Sequence, residues 1–153
     1  MSASRYCTFD DSLWPLLILR LVGEPSNQQF DEYLDTSASY LRRGEPHVVI
    51  ADLLRVGIAS AEQRRRRAEW LARHDELLRE SLLGHAFVIN GPILRLGLNI
   101  LFHLKPPAWP YVVVPRVDPA IAWAAGRLED SGLREPAERV RRHFGLLTLS
   151  QSG

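Results

Sequence analysis

The most unusual hydrophobic pattern in the chain lies between Pro92 and Leu104, where the polar residues are confined to a narrow line. In a helix, Arg95, Asn99 and His103 fall on that line, and apolar residues fill an arc of roughly 240° around the rest. A helix that rests on a protein core needs an apolar stripe of only about 100°. Part of this helix is therefore expected to face a second apolar surface: another subunit, a bound apolar ligand or a membrane. It is too short to span a bilayer, which takes about 20 residues.

Elsewhere, apolar runs alternate with amphipathic stretches, which predicts alternating strands and helices. Strands are predicted at residues 5–9, 14–22, 47–54, 85–90 and 111–114. Helices are predicted at residues 27–43, 60–83, 92–104, 118–128 and 135–144. Ser26 or Asn27 is suited to cap the first helix and Ser60 the second, which Gly84 would end. The run from Asp10 to Ser12 supplies turn residues for an N-terminal hairpin.

This order of elements predicts a single α/β domain spanning residues 1–153. The sheet should be mixed and mostly parallel, with about five strands, about five flanking helices and the first hairpin strand antiparallel at an edge. The core is expected over about residues 5–130. A helix at about residues 133–146 is an addition to it, and the tail from Leu149 should be loose.

The composition limits which classes of partner and which cellular location are expected. The chain has 153 residues and a formal net charge of +1, so no global field points to nucleic acid as a partner. The single cysteine, Cys7, excludes an intrachain disulfide and a multi-cysteine metal site. No apolar N-terminal run with a cleavage signal precedes the first strand, so the expected location is the cytoplasm.

Several segments resemble the STAS domains, and more closely the SpoIIAA-like (STAS/SEC14-type) proteins of bacteria. The resemblance is carried by R-Y-C-T-F at 5–9, L-L-I-L-R-L-V-G at 16–23, V-V-I-A-D-L-L at 48–54, A-F-V-I-N at 86–90 and D-P-A-I-A-W-A at 118–124. It covers roughly residues 5–130 as a match of pattern and order. It implies a role in protein association, and SEC14-type relatives bind apolar molecules.

The resemblance also points to a regulatory phosphorylation site. Anti-sigma factor antagonists carry a phosphorylated serine at the start of the helix after the D-L strand, and Ser60 lies near that position. This chain has I-A-S-A-E where those proteins carry an Asp-Ser-(Ser)-Gly run, so the alternative is that Ser60 simply caps its helix.

The four arginines from Arg64 to Arg67 are the sharpest charge run. Consecutive helical residues point in different directions, so only Arg64 and Arg67 share a side. These two would contact an acidic partner, and the alternative is a solvated face paired with nearby glutamates.

No convincing catalytic or metal-binding set is present. Asp52 lies near the end of a probable parallel strand, where ligand sites occur in open sheets, but a lone carboxylate there more often caps a loop. No two histidines have the spacing of a helical metal pair, and phosphate-binding and nucleophile motifs are absent from the sequence. We therefore expect no catalytic residues, no metal and no cofactor.

The resulting prediction is a non-enzymatic interaction or regulatory module that associates with a protein partner or with itself, as a homodimer. Association would use the apolar residues of helix 92–104 and its neighbourhood: Ile93, Leu94, Leu98, Leu101, Phe102 and Trp109. The alternative is a carrier or sensor that holds a small apolar or lipid-like molecule between this helix and the sheet. In that case Arg95, Asn99 and His103 would contact the ligand's head group. Peripheral contact with a membrane surface is compatible with either function.

Overall fold

Five strands and six helices make up the part of the chain that the computed structural model describes, residues 5–146. The strands are β1 (Cys7–Leu13), β2 (Leu16–Gly23), β3 (His47–Val56), β4 (Leu82–Val88) and β5 (Tyr111–Val114). The helices are α1 (Asn27–Leu41), α2 (Ala61–Arg73), α3 (Asp75–Ser81), α4 (Pro92–Leu104), α5 (Val117–Asp130) and α6 (Arg134–His143). The tail from Leu149, expected to be loose, lies outside the described residues.

The strands form one sheet in the order β1-β2-β3-β4-β5. Strand β1 pairs with β2 in an antiparallel hairpin, and the other neighbouring pairs are parallel. The predicted α/β class, the mixed and mostly parallel sheet and the N-terminal hairpin are therefore confirmed. Because side chains alternate between the two faces of a strand, the sheet supports a separate helical layer on each face.

The two faces differ in how tightly they are covered. On one face, α5 and α6 pack against Val48, Ile50, Ala86 and Val88, and form a closed core. On the other face, α1 and α3 pack against alternate residues of β2 and β3, and form a second core around Phe30. None of the residues of α4 belongs to either core.

The starts of two helices were predicted correctly from their capping residues. Ser26 and Ser60 are the N-caps of α1 and α2, and each accepts a hydrogen bond from the backbone N–H three residues later. Gln29 and Gln63 return a side-chain oxygen to the N–H of their caps, which completes a capping box at both helices. The first boundary of each helix is therefore encoded locally.

The prediction of one long helix from Ser60 to about Leu83 was wrong. The helix is interrupted at His74, whose backbone has φ −105° and ψ 15°, and α3 continues to Ser81. The His74 ring lies 2.8 Å from the carbonyl oxygen of Trp70, one turn earlier, so side chain and backbone share that acceptor. Two helices therefore replace the one expected.

Strand β4 begins three residues earlier than predicted, and Gly84 lies inside it rather than at a helix end. A Cβ atom at Gly84 would lie 2.7 Å from the ring of Trp123 on α5. Glycine is required here because the strand and the helix approach closely, which is a common reason for glycine within a strand.

The hairpin turn was also predicted too early. Residues Asp10 to Ser12 belong to β1, and the turn falls at Trp14 and Pro15. The strand continues through these polar residues, and its pairing register with β2 shifts between Asp10 and Leu13. Proline suits the turn because it has no backbone N–H to donate to the sheet.

Candidate ligand-binding site

A cavity of about 540 Å³ lies between the sheet and the layer formed by α1 to α4. Small-molecule sites in proteins typically measure about 300–1,000 Å³. Its floor consists of alternate residues of the three central strands, which point to the same face. They are Leu17, Leu19 and Leu21 of β2, His47, Val49, Ala51 and Leu53 of β3, and His85 and Phe87 of β4. The floor is therefore almost entirely apolar.

Helix α4 forms one wall of this cavity with a single stripe of its surface. The lining residues are Leu94, Gly97, Leu98, Leu101 and Phe102. Their spacing of three and four residues is that of one helical face. The broad apolar arc seen in the sequence therefore includes one stripe that faces the cavity.

A second apolar stripe of α4 faces away from the cavity. Its members are Ile93, Leu96, Ile100 and Leu104, whose exposed fractions are 86%, 60%, 51% and 77%. None of them lines the cavity. The 240° arc is thus divided between an inward stripe and an outward stripe.

The attachment of α4 to the sheet is sparse. None of its residues is buried. The aromatic contacts of α4 are made by Phe102, whose ring centroid lies 5.3 Å from that of Phe87 of β4 and 4.6 Å from that of Tyr111 of β5. Helices with few buried contacts open at low free-energy cost, so α4 is suited to act as a lid over the cavity.

The cavity also contains polar atoms that stand without partners. Among residues 5–146, three buried side-chain nitrogen atoms lack a hydrogen-bond partner: Nε of Arg67, Nε2 of His85 and Nε1 of Trp109. All three residues line this cavity. Buried polar groups in proteins are normally paired with protein, water or a ligand. Three residues of the lining therefore carry unpaired polar atoms directly beneath the surface of the cavity.

The His85 imidazole is held in its neutral form. Burial, and to a lesser degree the nearby His47, lowers the pKa of His85 from 6.5 to about 3. Burial also lowers the pKa of His47, although its interaction with the carbonyl of Glu45 opposes this. The end of the cavity near His85 therefore offers neutral hydrogen-bonding groups rather than charge.

Two solved structures are similar to this chain. One, of an uncharacterized protein from Shewanella loihica PV-4 with a SpoIIAA-like fold, shares 13% identity and superposes with a TM-score of 0.61 over 77% of this chain and 91% of the other. The chain has a SpoIIAA-like fold. The other, an anti-sigma factor antagonist from Mycobacterium paratuberculosis, shares 16% identity with a TM-score of 0.50, and the match covers 81% of this SpoIIAA-like domain and 98% of that chain. No family model and no curated protein sequence matches this chain.

Most of the apolar residues singled out in the sequence lie at the cavity of the SpoIIAA-like domain. Leu94, Leu98, Leu101, Phe102 and Trp109 line it. Ile93 instead belongs to the outward stripe. The structure therefore brings five of these six residues together around one site.

The polar line of α4 is not part of the cavity. Arg95, Asn99 and His103 are all exposed, and none of them is among the lining residues. A ligand inside the cavity would meet other polar groups, so the geometry does not favour these three as head-group contacts.

The arginine run divides into two pairs with different surroundings. Arg65 forms ion pairs with Glu62 and Glu69 at 2.6 Å, and Arg66 pairs with Asp31 at 2.7 Å. Arg64 and Arg67, which share the other side of α2, both line the cavity. Ser60, next to this run, is exposed and caps α2.

Asp52 lies on the other face of the sheet from this site. One of its oxygens accepts a hydrogen bond from the Leu54 N–H at 3.1 Å, and the other lies 3.6 Å from Nε of Arg20. It does not line the cavity. Within residues 5–146, no three His, Cys, Asp or Glu side chains are grouped as a metal site, and no helix is long and apolar enough to cross a membrane.

Sequence reasoning missed His85 and Gly97 as site residues. The histidine opened a predicted strand and gave no sign of which face it would occupy. Gly97 did carry a signal, because a glycine inside an otherwise apolar helix costs about 1 kcal/mol and often marks a packing or functional requirement.

Proposed function

We propose that this SpoIIAA-like domain is a non-enzymatic binding module that holds an elongated apolar molecule between α4 and the sheet. The observation that carries the proposal is the apolar cavity of about 540 Å³, three of whose lining residues carry an unpartnered buried nitrogen atom. Burial of apolar surface is worth about 25 cal/mol per Å², so a chain-like ligand would gain several kcal/mol before the costs of association.

The proposal extends to a regulatory role. One solved structure with this fold is an anti-sigma factor antagonist, a protein that acts on another regulator. In this chain the occupied and empty cavity would differ in the position of α4, and a protein partner would distinguish the two. The binding step comes first in this scheme and is tested alone.

Two measurements test the binding step. Native mass spectrometry of protein purified without detergent should show a few hundred daltons of bound material that denaturation releases. After that material is removed, the uncharged elongated dye diphenylhexatriene should bind saturably with a stoichiometry of one. Dye binding should also quench tryptophan emission, because Trp70 and Trp109 line the cavity. Protein that carries no extra mass and shows no saturable dye binding would disprove the proposal.

Self-association is a second candidate function, and the outward stripe of α4 supports it. Four large apolar side chains in one patch are more than isolated exposed residues on a monomer, and such patches often mark interfaces. Two copies of α4 packed across a twofold axis would cover the stripe while the inward stripe still faces the cavity.

The double variant Leu96→Glu/Ile100→Glu should convert a dimer into a monomer, because two carboxylates from each copy would be buried against those of the other across the axis. Analytical ultracentrifugation measures the change. Asn99→Glu is the matched control, since it adds a carboxylate to the polar line of the same helix and should leave the dimer intact. A wild-type monomer, or a double variant that remains dimeric, would refute self-association through α4.

A further inference from the structure

The side chain of Arg67 has surroundings unlike those of its neighbours in the arginine run. Its guanidinium carbon lies 5.3 Å from the ring centroid of Phe30 and 5.5 Å from that of Tyr33, so two aromatic faces hold it at the cavity. Its Nε is buried without a hydrogen-bond partner. Within residues 5–146, no carboxylate lies within 4.0 Å of it, whereas Arg65 and Arg66 have such partners.

A half-buried guanidinium without a counter-ion favours an anion in the cavity. Removing a charge from water costs several kcal/mol unless an opposite charge and hydrogen bonds compensate. The phenol of Tyr6 interacts with the Arg67 guanidinium through its charge and a side-chain hydrogen bond. Burial raises the pKa of Tyr6, and the attraction of Arg67 offsets this only partly, so the phenol stays neutral. A neutral phenol does not balance the charge of Arg67, which leaves this position open to an anionic group of a bound molecule.

The other charged residue of the cavity lining is also positive, and it lies near Arg67. Arg64 also lines the cavity, and among residues 5–146 no aspartate or glutamate does. Arg64 donates to the carbonyl oxygen of Ala59 at 2.6 Å, which fixes its charge at the same end of α2. The charged groups are therefore concentrated at one end of an apolar space.

The opposite end of the cavity is neutral and distant. Tyr6 bonds to Val22 at the end of β2, whereas His85 is in register with Val49 and, through it, with Leu17. A strand rises about 3.3 Å per residue and neighbouring strands are about 4.8 Å apart, so the backbone of Val22, beside Tyr6, and that of His85 are on the order of 20 Å apart. His85 and Trp109 there offer hydrogen bonds to an uncharged group.

We propose that the ligand is a single-chain carboxylic acid, with its carboxylate at Arg67 and its hydrocarbon chain extended toward His85 and Trp109. This inference rests on the proposed binding function and adds the chemical class of the ligand. The planar guanidinium matches a carboxylate with two parallel hydrogen bonds. A volume of about 540 Å³ suits one chain of this kind.

Displacement of diphenylhexatriene from delipidated wild-type protein tests the class of ligand. Palmitic acid, methyl palmitate and hexadecanol are compared at concentrations below their solubility limits. The acid should displace the dye at roughly tenfold to hundredfold lower concentration than the ester or the alcohol, because only the acid is charged.

Arg67→Gln should remove this preference, so that acid and ester compete within about threefold of each other, as expected when the charged partner is lost. Arg65→Gln is the matched control. It removes an arginine from the same helix that is outside the cavity, and the preference should persist. Dye binding by Arg67→Gln shows that the variant is folded. If the variant does not fold, the comparison of acid and ester in wild-type protein still tests whether the ligand is a carboxylic acid.

Each other outcome overturns the inference in a way that separates it from the proposed function. Equal competition by acid and ester in wild-type protein would exclude the carboxylate while leaving apolar binding in place. A preference that survives Arg67→Gln would place the carboxylate elsewhere. Failure of the dye itself to bind would remove the proposed function.

Discussion

Gly97→Phe should abolish binding of diphenylhexatriene while the protein remains folded. Gly97 lies in the middle of α4 on the inward stripe, and a Cβ atom placed there would meet no atom within 4 Å. Gly97 is exposed and lies at the cavity, so a phenyl group that turns inward from this position occupies part of the space of the ligand. We expect the dissociation constant, measured by fluorescence titration, to rise more than tenfold, which corresponds to about 1.4 kcal/mol or more.

Gly97→Ala provides the matched control for this substitution. Both variants replace a helical glycine, which should stabilise the helix by about 0.5–1 kcal/mol, but a methyl group leaves nearly all of the cavity open. Gly97→Ala should therefore bind the dye as wild type does. If Gly97→Phe also binds normally, or if Gly97→Ala loses binding to the same extent, the cavity is not the binding site.

The stability of the domain should fall as the pH drops from 7 toward 4.5, with His85 as a principal cause. Its folded-state pKa of about 3 is below the ordinary value of 6.5, so the unfolded chain takes up a proton that the folded chain resists. Stability from this group is complete above about pH 6.5 and is lost as the pH falls below it. The expected loss by pH 4.5 is about 2 kcal/mol, taken from urea denaturation at the two pH values.

His85→Phe should reduce this loss by most of that amount. Phenylalanine preserves the stacking on Phe87, where the ring centroids are 4.1 Å apart, and has no group to protonate. His103→Phe is the control, because His103 is exposed on α4 and its removal should leave the pH dependence as in wild type. If His85→Phe has the same pH dependence of stability as wild type, protonation of His85 does not destabilise the folded state. Other groups, such as His47, would then account for the loss of stability.

Local signals explain how much of the fold was predictable. The bounds of α4 and of β5 matched the structure, because Pro92 and the two prolines after Lys105 delimit the helix. The starts of α1 and α2 were predictable from the capping serines, Ser26 and Ser60. The break at His74 was not predictable, because the apolar periodicity continues through it, and the contact of the His74 ring with the carbonyl oxygen of Trp70 at this point is visible only in the structure.

The candidate site was predictable only in part. The excess apolar arc of α4 indicated two apolar environments, and its inward residues do line a cavity. The cavity itself depends on the distance between the helical layer and the sheet, which no periodicity encodes. Arg67 could be assigned to one side of α2, yet only the structure shows that this residue lines the cavity and lies over the rings of Phe30 and Tyr33.

The separation of α4 from both hydrophobic cores has a consequence for how such a domain diverges. Substitutions in residues 92–104 change neither core, so they are expected to cost less folding stability than substitutions at residues such as Ile50 or Phe30. The wall of the cavity can then acquire a new shape while the sheet and its supporting helices stay as they are. Proteins that share this scaffold are expected to differ most in this helix, and with it in the molecule that each one selects.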